Sequence, residues 1–479
     1  MPHLRIAFFT LFLHFNFLLA QETDTVKWEK VRIDEIIVRG NKTTKEHIIT
    51  RELTFQQGDT LKSTEIQQAL DRSRENLMNT SLFNFIDIKK VRPDSISIKI
   101  FIEVAERWYI WPLPIFELAE PNFNTWWQHK NFSRTNYGFY IVWENFRGRM
   151  ETIQMKAQMG FDQELAMKYS LPYINKKRTI GLGLTAGFSR NHEIFYATNS
   201  HLRTFLNDDE KHVRQEFFSR ITFTQRNKLD ETHRYELQYV NTSIADTITK
   251  LSNDYLKSNA TNMQYLSIIY QFKHDKRDYK YYPLTGYMFQ MNFSKHGFGI
   301  FNRQGLNVLF AYLSARYHWQ HSDRFYSAIG YYGKFSLLQD PPYYLQRGLG
   351  YGDFVRGYEY YVIDGQHYGL LRGNLKYQIV KTKEENIEFI PTEKFSRLHY
   401  SVFANVFADV GYAKDQLYFG ENPLANELLF GAGIGLDILT YYDTVMRMEF
   451  SVNKSGEFTN RDGDNTFFSI FKFHFTKPI

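Results

Sequence analysis

Long stretches of this chain alternate apolar and polar side chains in steps of two. In QELAMKYSL, Leu165, Met167, Tyr169 and Leu171 face one way, while Glu164, Ala166, Lys168 and Ser170 face the other. TIGLGLTAGF sets Ile180, Leu182, Leu184, Ala186 and Phe188 against Gly181, Gly183, Thr185 and Gly187. RYELQYV does the same with Tyr235, Leu237 and Tyr239 against Arg234, Glu236 and Gln238; near the end, Phe471, Phe473 and Phe475 oppose Lys472 and His474. This period belongs to β-strands with one apolar face, in soluble sandwiches and membrane barrels alike. Length separates the two. Several segments run ten or more residues, whereas soluble strands average about five or six and a tilted bilayer crossing takes roughly nine to eleven. About 16 strand candidates lie between WYIWPLPIFEL and FFSIFKFHF. An even number suits a closed bacterial barrel, which leaves no unpaired edge in hydrocarbon.

Composition supports the barrel. Phe, Trp and Tyr make up 17% of the chain, an excess that aromatic girdles at the membrane interfaces explain. The opening MPHLRIAFFTLFLHFNFLLA carries a short basic start (His3, Arg5) and an apolar run from Ile6 to Leu19. It reads as a secretory signal peptide at residues 1–20, cleaved after Ala20. No later stretch reaches the roughly 18 apolar residues of a membrane helix. The chain has no cysteine, which excludes disulfides, lipid attachment through cysteine and thiolate metal sites. A net charge of +6 without a basic run gives no sign of a nucleic-acid partner.

Residues from about Trp28 to Glu106 read differently. VRIDEIIV alternates as a half-buried strand; TKEHIITREL reads as a short helix starting at Thr44. A second helix follows Thr64, which with Gln67 fits a capping box. Its face of Ile66, Ala69, Leu70, Ser73 and Leu77 is apolar at helical spacing. FNFIDIKKV and SISIKIFIEV close the unit as two strands. The order is βααββ, a small α+β domain ahead of the barrel.

The stretch GDFVRGYEYYVIDGQHYG, residues 352–369, belongs to a loop of about 338–368 between two strands. Long loops in compact barrels are uncommon unless they have a function. By itself, a glycine-rich loop with one arginine cradles a phosphate, binds a partner or turns a corner.

Several motifs together resemble the superfamily of BamA-type insertases and two-partner secretion transporters. The βααββ unit, with VRGN after its first strand and NLMNTSLFNFIDI further on, resembles a polypeptide-transport-associated (POTRA) domain. SLPYI resembles a family strand ending, and DKRDYKYYPLTGYMFQMNF a family strand start, through Asp275, Arg277, Asp278, Pro283 and Gly286. VFADVGYA supplies Phe407, Asp409 and Gly411, and Val355-Arg356-Gly357-Tyr358 matches the tip of a loop preceding the twelfth strand. The resemblance implies a mainly β protein: a 16-stranded antiparallel transmembrane barrel at 108–479, preceded by one POTRA-like domain at 21–107. It implies that the loop folds into the lumen and that Arg356 contacts Asp409, with Gly357 permitting the turn and Tyr358 packing on a glycine-lined wall near Gly411. Physical chemistry agrees, because a guanidinium away from bulk water needs an acceptor and a carboxylate offers two. The chain departs from the pattern in showing one POTRA-like unit, no plug helix, and a Phe475 followed by Thr476, Lys477, Pro478 and Ile479.

Other motifs carry less. GAGIGLD (431–437) has no helix after it, so its alternate glycines smooth one face of a strand. NRDGDN (460–465) lacks the closing glutamate of a calcium loop. The histidines form no metal-binding pair and no G-x-S-x-G elbow is present, so neither catalysis nor cofactor is expected.

The expected function is handling of unfolded or strand-forming client proteins at the outer membrane of a Gram-negative bacterium. The POTRA-like domain would lie in the periplasm, and no nucleotide is used. Expected partners are outer-membrane lipid, client proteins and accessory lipoproteins. The first strand (Trp108, Pro112, Pro114) and the last (Phe471, Phe473, Phe475) would meet at a weak lateral seam, since each proline removes a ladder hydrogen bond. The alternatives are a pore dedicated to one partner protein and a passive porin or receptor.

Overall fold

Between Lys30 and Glu106 the chain folds a small sheet against a helix. The computed structural model describes residues 30–118, 134–453 and 474–476, less 95, 302–304, 339, 360, 389, 391, 419, 421 and 441; the expected signal peptide at 1–20 and the 460–465 motif lie outside them. The unit comprises β1 (Lys30–Arg39), α1 (Glu46–Thr50), β2 (Thr60–Lys62), α2 (Ile66–Met78), β3 (Phe83–Val91) and β4 (Ser97–Glu106). Its sheet order is β2-β1-β4-β3, and β1 runs parallel to β4. Val31, Ile33, Ile98, Ile100 and Ile102 are buried with Ile66, Leu70 and Leu77 of α2.

Neither helix starts as the sequence predicts. α1 begins at Glu46 and α2 at Ile66, both without a side-chain cap bond. The Thr44 N–H goes instead to Glu106 Oε1 (2.6 Å), and Gln67 Nε2 donates to Asp71 (3.1 Å) one turn along. A tertiary carboxylate and an i,i+4 partner displace the local caps.

The remaining strands are β5 (Ile110–Leu118), β6 (Thr135–Phe146), β7 (Glu151–Gly160), β8 (Gln163–Leu171), β9 (Ile180–Asn191), β10 (Glu193–Asn199), β11 (Leu202–Asn207), β12 (Arg214–Gln225), β13 (Glu231–Ile244), β14 (Asn262–Asp275) and β15 (Gly286–His296). They continue with β16 (Val308–Gln320), β17 (Phe325–Ser336), β18 (His367–Asn386), β19 (Arg397–Lys414), β20 (Leu428–Leu439), β21 (Val445–Asn453) and β22 (His474–Thr476). β10 and β11 pair as a separate hairpin, and the others form one 16-stranded sheet from β5 to β22. Every neighbour pair in it is antiparallel, as in β12 with β13 and β18 with β19.

The alternation sorts side chains as a membrane wall requires. Leu165, Met167, Leu184, Phe188, Tyr235 and Leu237 stand exposed on the outer face, where lipid rather than water is the matching solvent. Arg220, Thr222, Arg234 and Glu236 lie on the other face and bond among themselves. The two ends of the sheet come together, because the Trp108 N–H just before β5 donates to the Tyr442 hydroxyl in the β20–β21 turn (3.2 Å). The sheet is a barrel.

Candidate functional site

The loop from Leu337 to Gln366 joins β17 to β18, the eleventh and twelfth strands of the barrel. It runs inward through a bridge between Leu349 and Ile363 and turns at Val355–Tyr358, where the Tyr358 N–H donates to the Val355 carbonyl (3.0 Å). Gly357 stands at φ +98°, a region that a side chain strains.

At this tip Arg356 meets the wall. Its Nη2 donates to Asp409 Oδ1 (2.5 Å), and its Nε and backbone N–H donate to Oδ2 (2.9 and 3.1 Å). Nη1 donates to Asn374 Oδ1 (2.8 Å) and lies 3.4 Å from Glu449 Oε1. The guanidinium stacks 3.8 Å from the ring centre of Phe407. Arg372 stands 3.6 Å from the Asp409 carboxylate and donates to the Phe354 carbonyl. Two cations thus balance two anions. Asp409 is fully buried, so the fork-shaped pairing replaces the water both groups gave up.

The wall beneath is made of glycine. A Cβ at Gly431 would sit 1.8 Å from the Arg356 carbonyl oxygen, and one at Gly411 would sit 2.4 Å from Val355 Cγ2. Val355 therefore occupies the glycine patch that the sequence assigns to Tyr358. Tyr358 is buried instead among Leu349, Tyr361, Tyr368 and Leu370, because the tight turn sends it back into the loop. Asn374, Glu449 and Arg372 are site residues that the motifs do not name. Inward strand parity was the available signal: Asn374 pairs directly with Phe407 in register, and Glu449 with Gly435.

Above the tip, described loops pack together at the far mouth. Ile194, Ile248, Tyr255, Tyr265, Leu306, Phe310 and Tyr343, drawn from several loops and strand ends, form one buried cluster. Gln366 links Gln346 (2.9 Å) and Asp415 (2.7 Å) beside it.

The opposite rim carries the POTRA-like unit, which bonds to six of its turns. Lys45 N–H donates to Gly148 O (2.9 Å) after β6, and Arg51 Nε to Arg178 O (2.7 Å) after β8. Arg226 after β12 grips Glu52 with two bonds (2.7 and 2.9 Å). Asn79 takes Lys280 after β14 (2.6 Å), and Asn84 donates to Lys394 O after β18 (3.1 Å). Arg107 forks onto Asp443 after β20 (2.5 and 2.8 Å). Burial raises the Asp443 carboxyl, but the bonds and charge of Arg107 outweigh it and hold it below the usual range. Burial lowers the Lys280 ammonium to about 8.

The turn after β14 also enters the lumen. Tyr282 Oη donates to Asp437 Oδ2 (2.7 Å) and its ring lies 3.8 Å from Lys376 Nζ. Arg447 joins Asp437 (2.9 Å) and stands 3.8 Å from Glu449. Polar contacts therefore run from the rim turn to Arg356.

At the seam, Pro112 and Pro114 lie in β5 opposite Ile141 and Phe139. The Glu144 N–H donates to the Tyr109 carbonyl (2.7 Å), directly opposite in the same register, so odd residues of β5 bond to β6. Hydrogen-bonded pairs alternate in an antiparallel ladder; the even positions, both prolines among them, face the edge that no described strand pairs. That edge lacks two donors. Trp108 and Trp111 pack with Phe395 and Tyr442, ring centres 5.2–6.4 Å apart, and fasten the foot of β5. Phe475 lies in β22 opposite Met446, while Phe471 and Phe473 lie outside the described residues.

Residues 31–107 match the POTRA family, described as the surface antigen variable number repeat. No curated protein is similar in sequence to the chain. The fold is similar to CdiB from Escherichia coli (TM-score 0.52, 13% identity, 89% of this chain and 73% of that one). CdiB from Acinetobacter baumannii follows at TM-score 0.50 and 9% identity, over 91% and 72% of the two chains. BamA from Haemophilus ducreyi lacking POTRA domains 1–3 stands at 0.49 and 13%, over 92% and 83%. The chain thus places a POTRA-family domain ahead of a 16-stranded barrel whose fold is similar to that of CdiB.

Proposed function

We propose that this protein is an outer-membrane assembly factor that inserts strand-forming client proteins without nucleotide, with its POTRA domain in the periplasm. One observation carries the reading: described loops pack together at one mouth and the POTRA domain bonds to the turns of the other, while the β5 edge at the seam lacks two donors. A passive porin needs an open lumen; a factor that offers its own strand edge does not. A client first adds as a strand to the POTRA sheet. The outer edge of β3 is the longer free edge there, since β2, at the other side, has three residues. The client then meets the seam between β5 and β22, where the inward loop holds the adjoining wall of β18, β19 and β21 in place through Arg356 and Asp409.

Depletion in the native host tests this. Loss of many outer-membrane barrels is the expected result. Loss of one secreted or surface-displayed protein assigns a dedicated translocator instead. An unchanged outer-membrane and surface proteome with altered solute uptake overturns the reading in favour of a porin.

A further inference from the structure

Between β15 and β16 the chain leaves the barrel on its outside. Phe293 is exposed on the outer face of β15, and Lys295, two residues on, pairs with Ile268, which is exposed on the outer face of β14. Lys295 therefore continues a lipid-facing row. Its ammonium donates to the carbonyls of His296 (3.3 Å) and Gly297 and caps the Phe298 ring at 4.7 Å. Among the described residues no carboxylate pairs with it. A lysine in such a row extends its charge toward the headgroups.

The loop then turns sideways. The Gly297 N–H donates to Leu266 O in β14 (2.9 Å), and Phe301 reaches Tyr239 on β13, ring centres 5.8 Å apart. Phe298, Ile300 and Phe301 are 43%, 64% and 52% exposed. Just beyond Tyr239 the outer face becomes polar: Gln264 accepts from the Tyr239 hydroxyl (3.4 Å), and Asn262 donates to Asn241 (2.9 Å). Phe301 thus sits where the apolar band ends, the level of an aromatic girdle. In water these three side chains would form an exposed apolar patch with no partner; in the outer leaflet they are at home.

We propose that residues 295–301 form an outer-leaflet lipid-binding flap. Phe298, Ile300 and Phe301 enter the boundary between headgroups and acyl chains, and Lys295 meets the phosphate of an anionic lipid. Apolar burial and a basic residue act together in such interfacial segments. The proposal rests on the barrel orientation given above, and the test separates the two.

Since the chain has no cysteine, a single nitroxide can be placed on the full-length protein at Ile300→Cys, Leu237→Cys or Glu210→Cys. The protein is reconstituted in phosphatidylethanolamine vesicles with and without phosphatidylglycerol. At Ile300→Cys, collisions with a water-soluble nickel chelate are expected to be several-fold rarer than at the exposed Glu210→Cys, and collisions with oxygen more frequent. Phosphatidylglycerol should deepen the Ile300→Cys label, and Lys295→Gln should abolish that deepening. If Leu237→Cys is lipid-exposed while Ile300→Cys meets the nickel chelate as freely as Glu210→Cys, the flap is wrong and the barrel stands. If Leu237→Cys is also open to the chelate, the orientation itself fails. A deepening that persists in Lys295→Gln removes the lysine from the proposal.

Discussion

Arg356 and Asp409, fifty-three residues apart in sequence, meet through two side-chain hydrogen bonds at 2.5 and 2.9 Å. Both groups are buried. The contact fixes a loop from one side of the barrel onto strands β18, β19 and β21 at once, because Asn374 and Glu449 share the same guanidinium. Removing either partner strands the other inside a low-dielectric wall.

Asp409→Ala should therefore destabilise loop docking by about 3–5 kcal/mol, the usual cost of breaking a buried pair. Arg356→Lys should also fail, since an ammonium cannot reproduce the fork. Limited proteolysis within 352–366 of the folded barrel reads the release. Equal protection of wild type and both variants would remove the lock from the account.

Gly431→Ala tests the wall rather than the charge. The added methyl would lie 1.8 Å from the Arg356 carbonyl oxygen, so the tip must lift although every charged group remains. At Gly369 the nearest atom to an added Cβ is 3.7 Å away, and Gly369→Ala should behave as wild type. The same protease assay, run on both variants, compares them.

Restoring donors at the seam should tighten it. Pro112→Val with Pro114→Val adds two N–H groups on the open edge of β5, each worth about 0.5–1.5 kcal/mol when paired. The expected outcome is a folded electrophoretic band that survives higher temperature, together with weaker complementation in the host. A variant unchanged in both respects would show that the prolines only end the linker.

Docking of the POTRA domain should depend on pH in two windows. Lys280 falls to about 8 when buried, against about 10.4 when free. The docked form then binds fewer protons between those values, and docking strengthens as pH rises through that window. Asp443 has the opposite logic: its carboxyl is held low, so its contribution is present above the ordinary carboxylate range and disappears as pH falls through the lowered value. Cross-linking between Cys substitutions at Asn41 and Lys45 on one side and Arg149 on the other follows both limbs, and Lys280→Met should flatten the alkaline one.

Much of the barrel was legible because a period of two repeats over segments long enough to cross a bilayer. Leu165, Leu184 and Leu237 stand on the outer face that the alternation gives them. The loop tip was legible through a four-residue motif and an aspartate at even spacing from Phe407 and Gly411. What escaped depends on partners far away in the chain. Glu52 with Arg226, and Arg107 with Asp443, look like ordinary surface charges until the barrel closes and brings its turns under one small domain. Tyr282 reads as a turn residue because nothing local reveals that its turn points into the lumen. The helix start at Thr44 failed for the same reason: Glu106 lies more than sixty residues from the N–H that it takes.

The buried loop cluster at one mouth and the docked domain at the other both stand across the barrel axis. Reconstituted in a planar membrane under voltage, this barrel should therefore carry little ionic current at rest, despite a wall wide enough for a porin. Bursts of conductance, where they occur, would report departures of the domain or the loop rather than the resting molecule.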